Sequence, residues 1–384
     1  MPPRSVAIYL SARHHGSREV AFLQLISRLL DGGSRVDVLV AGPEPWLRTA
    51  LDPRARIEDV SRWWMGYGLL RLPHLVRAYL SAPAVAGYLR RAKPDVLFAT
   101  SIPPNLAALG GQAIAKTPTA IVIRQSNVVR LAEADRYAGV RRRPRDWIMP
   151  RLYRGADAVI AVSAGVADNL RLLGAVTDSR IIVVPNGVAL DRIDARAAEP
   201  VDHPWLQGGA EPVLVAIGRL VPKKDYPTLL QALQLLRRSV PARLIILGDG
   251  PERGGLESLA RKLGIEQHVS MPGFRDNPFP FLARANLFVL SSISEGMPSA
   301  MIEALACGCP VVGTDCPSGP SEILDNGRYG ALVPVGNVEA LAAAMLAALK
   351  QPPDRERLRA RAAEFSVQAC VDRYLNVLTN AAIR

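Results

Sequence analysis

Residues 286–314 read NLFVLSSISEGMPSAMIEALACGCPVVGT. The stretch opens on a short apolar run, NLFVLSS (286–292), and breaks at Glu295-Gly296-Met297-Pro298. It resumes as a helical pattern near Ser299 and returns to an apolar run at CPVVGT (309–314). A proline at the helix start is well placed, because its missing amide proton had no helical partner to lose. Continuous apolar runs of this length mark strands buried on both faces. Strand, helix, strand in this order predicts a parallel sheet with helices on both sides.

The same alternation extends outward in both directions. Behind the opening stretch lie PVLVAIG (212–218), ARLIILG (242–248) and HVSMPG (268–273), and ahead of it GALVP (330–334). The first half repeats the pattern at VAIYL (6–10), RVDVLV (35–40), DVLFAT (95–100), TAIVIR (119–124), DAVIAV (157–162) and RIIVVP (180–185). The polar, Pro- and Gly-broken stretch 190–212 reads as a linker, and 351–366 as a second polar, broken stretch before a final helix over 367–383. A chain of 384 residues also exceeds the roughly 250–300 that one core can serve. The expected fold is therefore α/β, with two doubly wound Rossmann-like domains. Their expected bounds are 1–190 and 191–366, with 367–384 a C-terminal helix.

Hydrophobic residues make up 49% and charged residues 21%, the balance of a soluble globular protein. No apolar run reaches the roughly 18 residues needed to cross a bilayer. The apolar run Val6 to Leu10 is too short for a signal peptide and suits a buried first strand. Cys307, Cys309, Cys316 and Cys370 include no second pair at zinc-type spacing and read as structural thiols in a reducing cytoplasm. The net charge of +12 is unevenly spread. Residues 1–190 hold 26 Lys and Arg against 14 Asp and Glu, and residues 191–384 hold 21 of each. A genome-wide composition bias would raise both halves alike, so the asymmetry points to different partners for the two halves.

In open parallel sheets ligands bind beyond the carboxyl ends of the strands. After PVLVAIG, which ends at Gly218, come Arg219 and then Lys223 and Lys224 at the start of a helical pattern. Two cations converging on a helix N-terminus make an anion site suited to a diphosphate, and a solvated surface pair is the plain alternative. After NLFVLSS, Glu295 stands just before a helix and Glu303 about one turn inside it. The exposed amides of this first turn then bind phosphate, with Gly296, Met297, Pro298 and Ser299 lining the donor, while the two carboxylates accept from hydroxyls on either side. A capped helix with an incidental acid is the alternative. The turn GDGPER (248–253) is common to doubly wound folds, and MPGF (271–274) offers Gly273 and Phe274, the latter either a core residue or an edge for a nucleobase. In the first half, Gly16 within RHHGSRE (13–19) lets backbone approach a ligand. Gln125-Ser126-Asn127 is a polar cluster with no clear acid or base.

GRLVPKKDYPTLLQAL (218–233), LIILGDGPER (244–253), MPGF (271–274) and EGMPSAMIEALACGCPVVGTDCPSGPSEIL (295–324), with AVSAGVADNL (161–170) and VVPNGV (183–188), resemble the retaining glycosyltransferases of family 4, or group 1. The resemblance covers most of 157–335 and includes a Glu-x7-Glu motif, Glu295 to Glu303. It implies the GT-B architecture, in which the two domains face across a cleft and the C-terminal helix, 367–384, packs back on the first domain. It further implies that Arg219 and Lys224 neutralise the donor diphosphate, Glu295 contacts the donor sugar, Glu303 holds the ribose hydroxyls and Gly16 approaches the phosphates. Two departures stand out. The usual Gly-Gly pair is His15-Gly16 here, and the usual histidine after the fourth strand falls at Arg124-Gln125-Ser126-Asn127.

The implied reaction is departure of a nucleoside diphosphate with retention at the anomeric carbon, aided by preorganised cations and helix amides. No Asp-x-Asp element stands in a suitable loop, so no metal or other cofactor is expected. The expected donor is a UDP-sugar, since CPSGPSEIL (316–324) looks like polysaccharide-assembly members, with a GDP-sugar the other choice. Segments 62–80, with Trp63 and Trp64, and 136–154, with Arg141, Arg142 and Arg143, mix aromatics and Leu with Arg. That composition suits an anionic inner-membrane surface and a glycan or lipid-linked acceptor, with the enzyme cytoplasmic and peripheral to the plasma membrane. No nucleic-acid motif accompanies the charge. A sugar-nucleotide 2-epimerase on the same fold and a non-catalytic nucleotide-sugar-binding membrane protein are the rival readings.

Overall fold

The computed structural model describes residues 2–10, 17–42, 45–61, 74–128, 149, 151–174 and 176–383. The chain divides into two compact units, one of residues 1–131, 140–187 and 367–384, the other containing 188–366.

The first unit carries a seven-stranded sheet: β1 (Ser5–Tyr9), β2 (Arg35–Val40), β3 (Arg56–Asp59), β4 (Val96–Ala99), β5 (Ala120–Gln125), β6 (Ala158–Ala161) and β7 (Ile181–Val183). Its order is β3-β2-β1-β4-β5-β6-β7, and every pairing is parallel. The helices of this unit include α1 (Ser17–Asp31), α2 (Pro45–Ala50), α3 (His74–Ala92), α4 (Ile102–Ala115) and α5 (Ala164–Leu172). β1, β4 and β6 are almost wholly buried, as their unbroken apolar runs require. Helices α3 and α4 approach closely where α4 has no side chain, since a Cβ on Gly111 would come 2.7 Å from Val85 Cγ1.

The second unit holds α6 (Leu190–Ala197), β8 (Val213–Ile217), α7 (Tyr226–Leu236), β9 (Arg243–Leu247), α8 (Arg253–Lys262), β10 (Val269–Gly273), α9 (Phe279–Arg284) and β11 (Leu287–Leu290). It continues with α10 (Ser299–Ala306), β12 (Val311–Thr314), α11 (Pro320–Ile323), β13 (Ala331–Val333), α12 (Val338–Leu349) and α13 (Arg355–Ala363). The sheet order is β10-β9-β8-β11-β12-β13, again parallel throughout. Leu229, Leu233 and Leu236 recur on one face of α7 and are buried with Leu214, Leu244 and Leu341 in one core. The last helix, α14 (Val367–Ala382), belongs to the first unit. It buries Cys370, Val371, Tyr374, Val377 and Leu378 at helical spacing, and Tyr374 stacks with Phe22 and Phe98 at 6.0 and 5.5 Å.

Three local expectations are corrected. β3, RIED, is a strand that no apolar run announces, because it lies at the sheet edge and its residues stay half-exposed. The stretch 190–212 is not a bare linker. It forms α6, which buries Ile193 and is tied down by Arg196 to Asp276 at 2.8 Å and by Arg284 to the Ala197 carbonyl at 3.2 Å. The stretch 351–366 contains α13, capped by Asp354 and seated on α10 through Leu358 and Ala362. Both helices bury only one or two apolar residues each, so their sequences read as polar.

Candidate functional site

In the second sheet the strand order reverses direction between β8 and β11. The loops leaving the carboxyl ends of those two strands therefore splay to opposite sides and leave a crevice, the standard ligand site of this topology. The loop after β8 runs through Arg219 into the short 3-10 turn Pro222–Lys224 and then α7. The loop after β11 runs through Glu295 into α10. Two hydrogen bonds lock the loops together: Ile293 N–H donates to the Lys223 carbonyl at 2.9 Å and the Ser291 hydroxyl to the Lys224 carbonyl at 2.8 Å.

This clamp brings the two charged side chains into contact. Lys224 Nζ donates to Glu295 Oε1 at 2.6 Å, with the side chains only 14% and 9% exposed. The Ser292 hydroxyl donates to the same oxygen at 2.8 Å. Burial alone would push the Glu295 carboxyl up. The ammoniums of Lys224 and Lys223 and the two hydrogen bonds outweigh it and hold the group below its ordinary range. Gly218 makes room for the pair, since a Cβ there would sit 2.7 Å from Lys224 Cε. Tyr226 closes the floor, its hydroxyl donating to the Gly218 carbonyl at 3.2 Å, and burial with the Glu295 charge pushes that phenol up. Arg219 lies in the same loop, exposed.

Beyond Glu295 the chain passes through buried Gly296, Met297 and Pro298 to Ser299, the first residue of α10. Pro298 is the N-cap, with no side-chain cap, and no acid stands in the first turn. A helix start of this kind, with its dipole's positive end at the loop, suits an incoming anion. The Ser318 hydroxyl donates to the Gly296 carbonyl at 2.8 Å, and Gly319, at φ 94°, packs so tightly that a Cβ would lie 2.7 Å from Pro298 Cδ and 2.8 Å from the Gly296 oxygen. The 316–324 segment is therefore a buttress beneath the loop. Glu303, one turn along α10, is buried at 9% exposure.

The loops after β9 and β10 extend the same edge. A Cβ on Gly248 would fall 2.0 Å from the Gly218 oxygen, so these strand ends touch through backbone alone. Arg253 holds them, donating to the carbonyls of Met271 at 2.9 Å and Gly248 at 3.3 Å. Gly273 ends β10 at φ 90°, and Phe274 beyond it is 64% exposed, so it is not a core residue.

The structure brings Lys224, Glu295, Gly218, Gly296, Met297, Pro298 and Ser299 into one locality at the β8 and β11 ends. It leaves Glu303 buried within α10 and Gly273 and Phe274 at the neighbouring β10 end. Gly16, Trp63, Trp64, Arg141, Arg142 and Arg143 lie outside the described residues, as do 62–73 and 136–148 of the two basic-aromatic segments. In the first unit the cluster at 124–127 is mostly interior. Arg124 is 1% exposed, donating from Nε to the Tyr374 hydroxyl at 2.9 Å and from Nη2 to Asn186 Oδ1 at 2.5 Å, and Gln125 is fully buried. Ser292, Tyr226, Thr314, Ser318 and Arg253 lie within the stretches quoted from the sequence, but nothing in those stretches assigns them a contact at the site. All four cysteines are free and buried, and burial pushes the thiols of Cys307, Cys309 and Cys316 up to about 12. Among the described residues no helix is long and apolar enough to cross a membrane.

Residues 203–365 match the family model of glycosyl transferases group 1, and residues 18–187 match a glycosyl transferase 4-like domain. The chain belongs to the group 1 glycosyltransferases. This glycosyltransferase is 33% identical over 237 residues to the lipopolysaccharide core biosynthesis glycosyltransferase LpsE of Rhizobium meliloti, a match covering 59% of this chain and 66% of that protein. It is 29% identical over 213 residues to a Campylobacter jejuni N-acetylgalactosamine-N,N'-diacetylbacillosaminyl-diphospho-undecaprenol 4-alpha-N-acetylgalactosaminyltransferase, covering 56% and 55%. The chain thus spans about half to two thirds of the length of these curated relatives. Among solved structures, Anabaena HepE in complex with UDP and glucose superposes with a TM-score of 0.76 at 18% identity, covering 98% of this chain and 100% of that one. At that identity the likeness establishes the fold, which is GT-B.

Proposed function

We propose that this glycosyltransferase moves a sugar from a nucleoside-diphosphate donor, UDP rather than GDP, to a lipid-linked glycan acceptor in cell-surface polysaccharide or glycoconjugate synthesis. One observation carries the reading. A buried Lys224–Glu295 pair sits beside the start of α10 at the strand-order switch point. An ammonium and helix amides suit a diphosphate whose charge grows as it leaves, and a carboxylate beside them suits the hydroxyls of the sugar.

In this reading Arg219 and Lys224 take the diphosphate, Glu295 the donor sugar and Glu303 the ribose, with Phe274 against the base. Positive charge from side chains and amides meets the leaving group, so the reaction needs no divalent metal. The sugar is transferred with retention, as the family resemblance implies. The relatives in lipopolysaccharide and undecaprenyl-linked glycan assembly support a lipid-linked acceptor. The excess of Lys and Arg in residues 1–190 supports docking at an anionic inner-membrane surface.

Thermal stabilisation by a panel of sugar nucleotides tests the donor, and a tenfold excess of ligand over its Kd raises stability by about 1.4 kcal/mol. Transfer of radiolabelled sugar to a membrane lipid extract tests the acceptor. No stabilisation by any nucleoside diphosphate would refute the donor site. Equal sedimentation with anionic and neutral vesicles would refute electrostatic docking. A 2-epimerase would convert the sugar nucleotide with no acceptor present.

A further inference from the structure

Glu295 receives two donors on one oxygen. Lys224 Nζ and the Ser292 hydroxyl both reach Oε1, at 2.6 and 2.8 Å. Ser292 is fully buried, and its carbonyl accepts from the Thr314 hydroxyl at 2.6 Å. Thr314 is itself 1% exposed, at the carboxyl end of β12. The Thr314 hydroxyl therefore holds the Ser292 backbone from the next strand end, while the Ser292 side chain reaches the carboxylate. An extended strand end could hold a buried apolar residue at 292 equally well, and VLSS would then be a plain apolar strand. A buried hydroxyl aimed at a carboxylate that an ammonium already neutralises has a different use, which is to fix where the carboxylate points.

We propose that Ser292, braced by Thr314, is a positioning residue that pins Oε1 of Glu295 against Lys224 and so presents the second carboxylate oxygen to a donor hydroxyl. The proposal rests on the glycosyl-transfer reading for its consequence but not for its geometry. With Oε1 committed to two donors, rotation of the carboxylate is blocked, and Lys224 is held at a fixed distance from the sugar contact. The titratable and charged groups facing Glu295 are Lys224 and Lys223 from the β8 loop, Tyr226 from α7 and Cys316 from the loop after β12. Burial raises the phenol and the thiol, so neither of them adds charge beside Glu295 near neutral pH. Ser292 adds to the lysines in favouring the ionised carboxylate.

The test titrates the full-length protein labelled with 13C at glutamate carboxyls, with Glu295 assigned as the resonance lost in Glu295→Gln. Ser292→Ala raises the Glu295 titration midpoint, and Ser292→Thr, which keeps the hydroxyl, returns it toward wild type. In sugar-transfer assays Ser292→Ala lowers kcat about tenfold, the value of one hydrogen bond, with a smaller change in KM. It also moves the acid limb of the kcat profile toward neutral pH, and Ser292→Thr rescues both. Thr314→Val removes only the brace and moves the same two readouts in the same direction by less, which keeps the test available if Ser292→Ala folds poorly. An unmoved Glu295 midpoint in Ser292→Ala overturns the proposal, as does a rate loss with an unmoved acid limb. If wild-type protein transfers no sugar from any donor, the reaction reading falls while the carboxyl titration still judges Ser292.

Discussion

Replacing Lys224 by Met removes one member of a pair that is nearly sealed from solvent, with 14% and 9% side-chain exposure. Two effects follow and they separate. For stability, breaking a buried pair from one side costs about 3–5 kcal/mol, because the remaining charge is left without its partner. For a domain of this size about 3 kcal/mol lowers Tm by roughly 6–12 °C. For catalysis, losing one preorganised group that stabilises the departing charge costs about 10²–10³ in kcat.

The pH dependence gives the argument its sign. In wild type the Glu295 carboxyl is held low, so its contribution to stability is present above the unfolded carboxyl range and fades as pH falls through the folded value. Without Lys224 the burial effect dominates and Glu295 titrates high. The variant is then destabilised most at neutral pH and recovers toward wild type as acid neutralises the carboxyl. The double variant Lys224→Met/Glu295→Gln removes both charges and returns most of the stability, but none of the activity. Urea unfolding at pH 5 and pH 8, together with release of nucleoside diphosphate, measures both effects. A Lys224→Met protein with wild-type turnover would remove Lys224 from the clamp. A double variant as unstable as the single one would refute the buried-pair account.

Three further outcomes follow from local geometry. Phe274→Ala leaves Tm unchanged within about 1 °C, because the ring is 64% exposed, and weakens nucleotide binding in calorimetry by about tenfold if it covers the base. Gly248→Ala forces a Cβ to 2.0 Å from the Gly218 oxygen, so the β8 loop shifts. Thermal stabilisation by the donor nucleotide is then lost at concentrations that stabilise wild type. Tyr374→Phe strips an acceptor from the buried Arg124 guanidinium, and the unsatisfied donor lowers unfolding free energy by about 1–3 kcal/mol, read as a lower urea midpoint at constant m.

The sheet architecture was legible because buried parallel strands leave an unmistakable trace. Runs such as VLVAI and LFVL need no partner to be recognised, since both their faces are covered. Edge and surface elements leave no such trace. RIED forms a strand only because β2 offers it a row of backbone groups, and α6 and α13 fold because Ile193, Leu358 and Ala362 find neighbours to pack on. The site was legible in part for a related reason. Glu295, Pro298 and Glu303 share one strand-loop-helix segment, so their spacing alone places them on a helix start.

By itself the order of residues determined the two parallel sheets, the loops at their strand ends, and the kinds of charge present there. Only the tertiary structure decided that Lys224 and Glu295, 71 residues apart, share a contact, and that both meet Ser292 in a buried space opened by Gly218. The physical reason is that periodicity reports how each segment meets the core. Which side chains meet each other depends on strand order, and β8 lies beside β11 only once the sheet has reversed its winding.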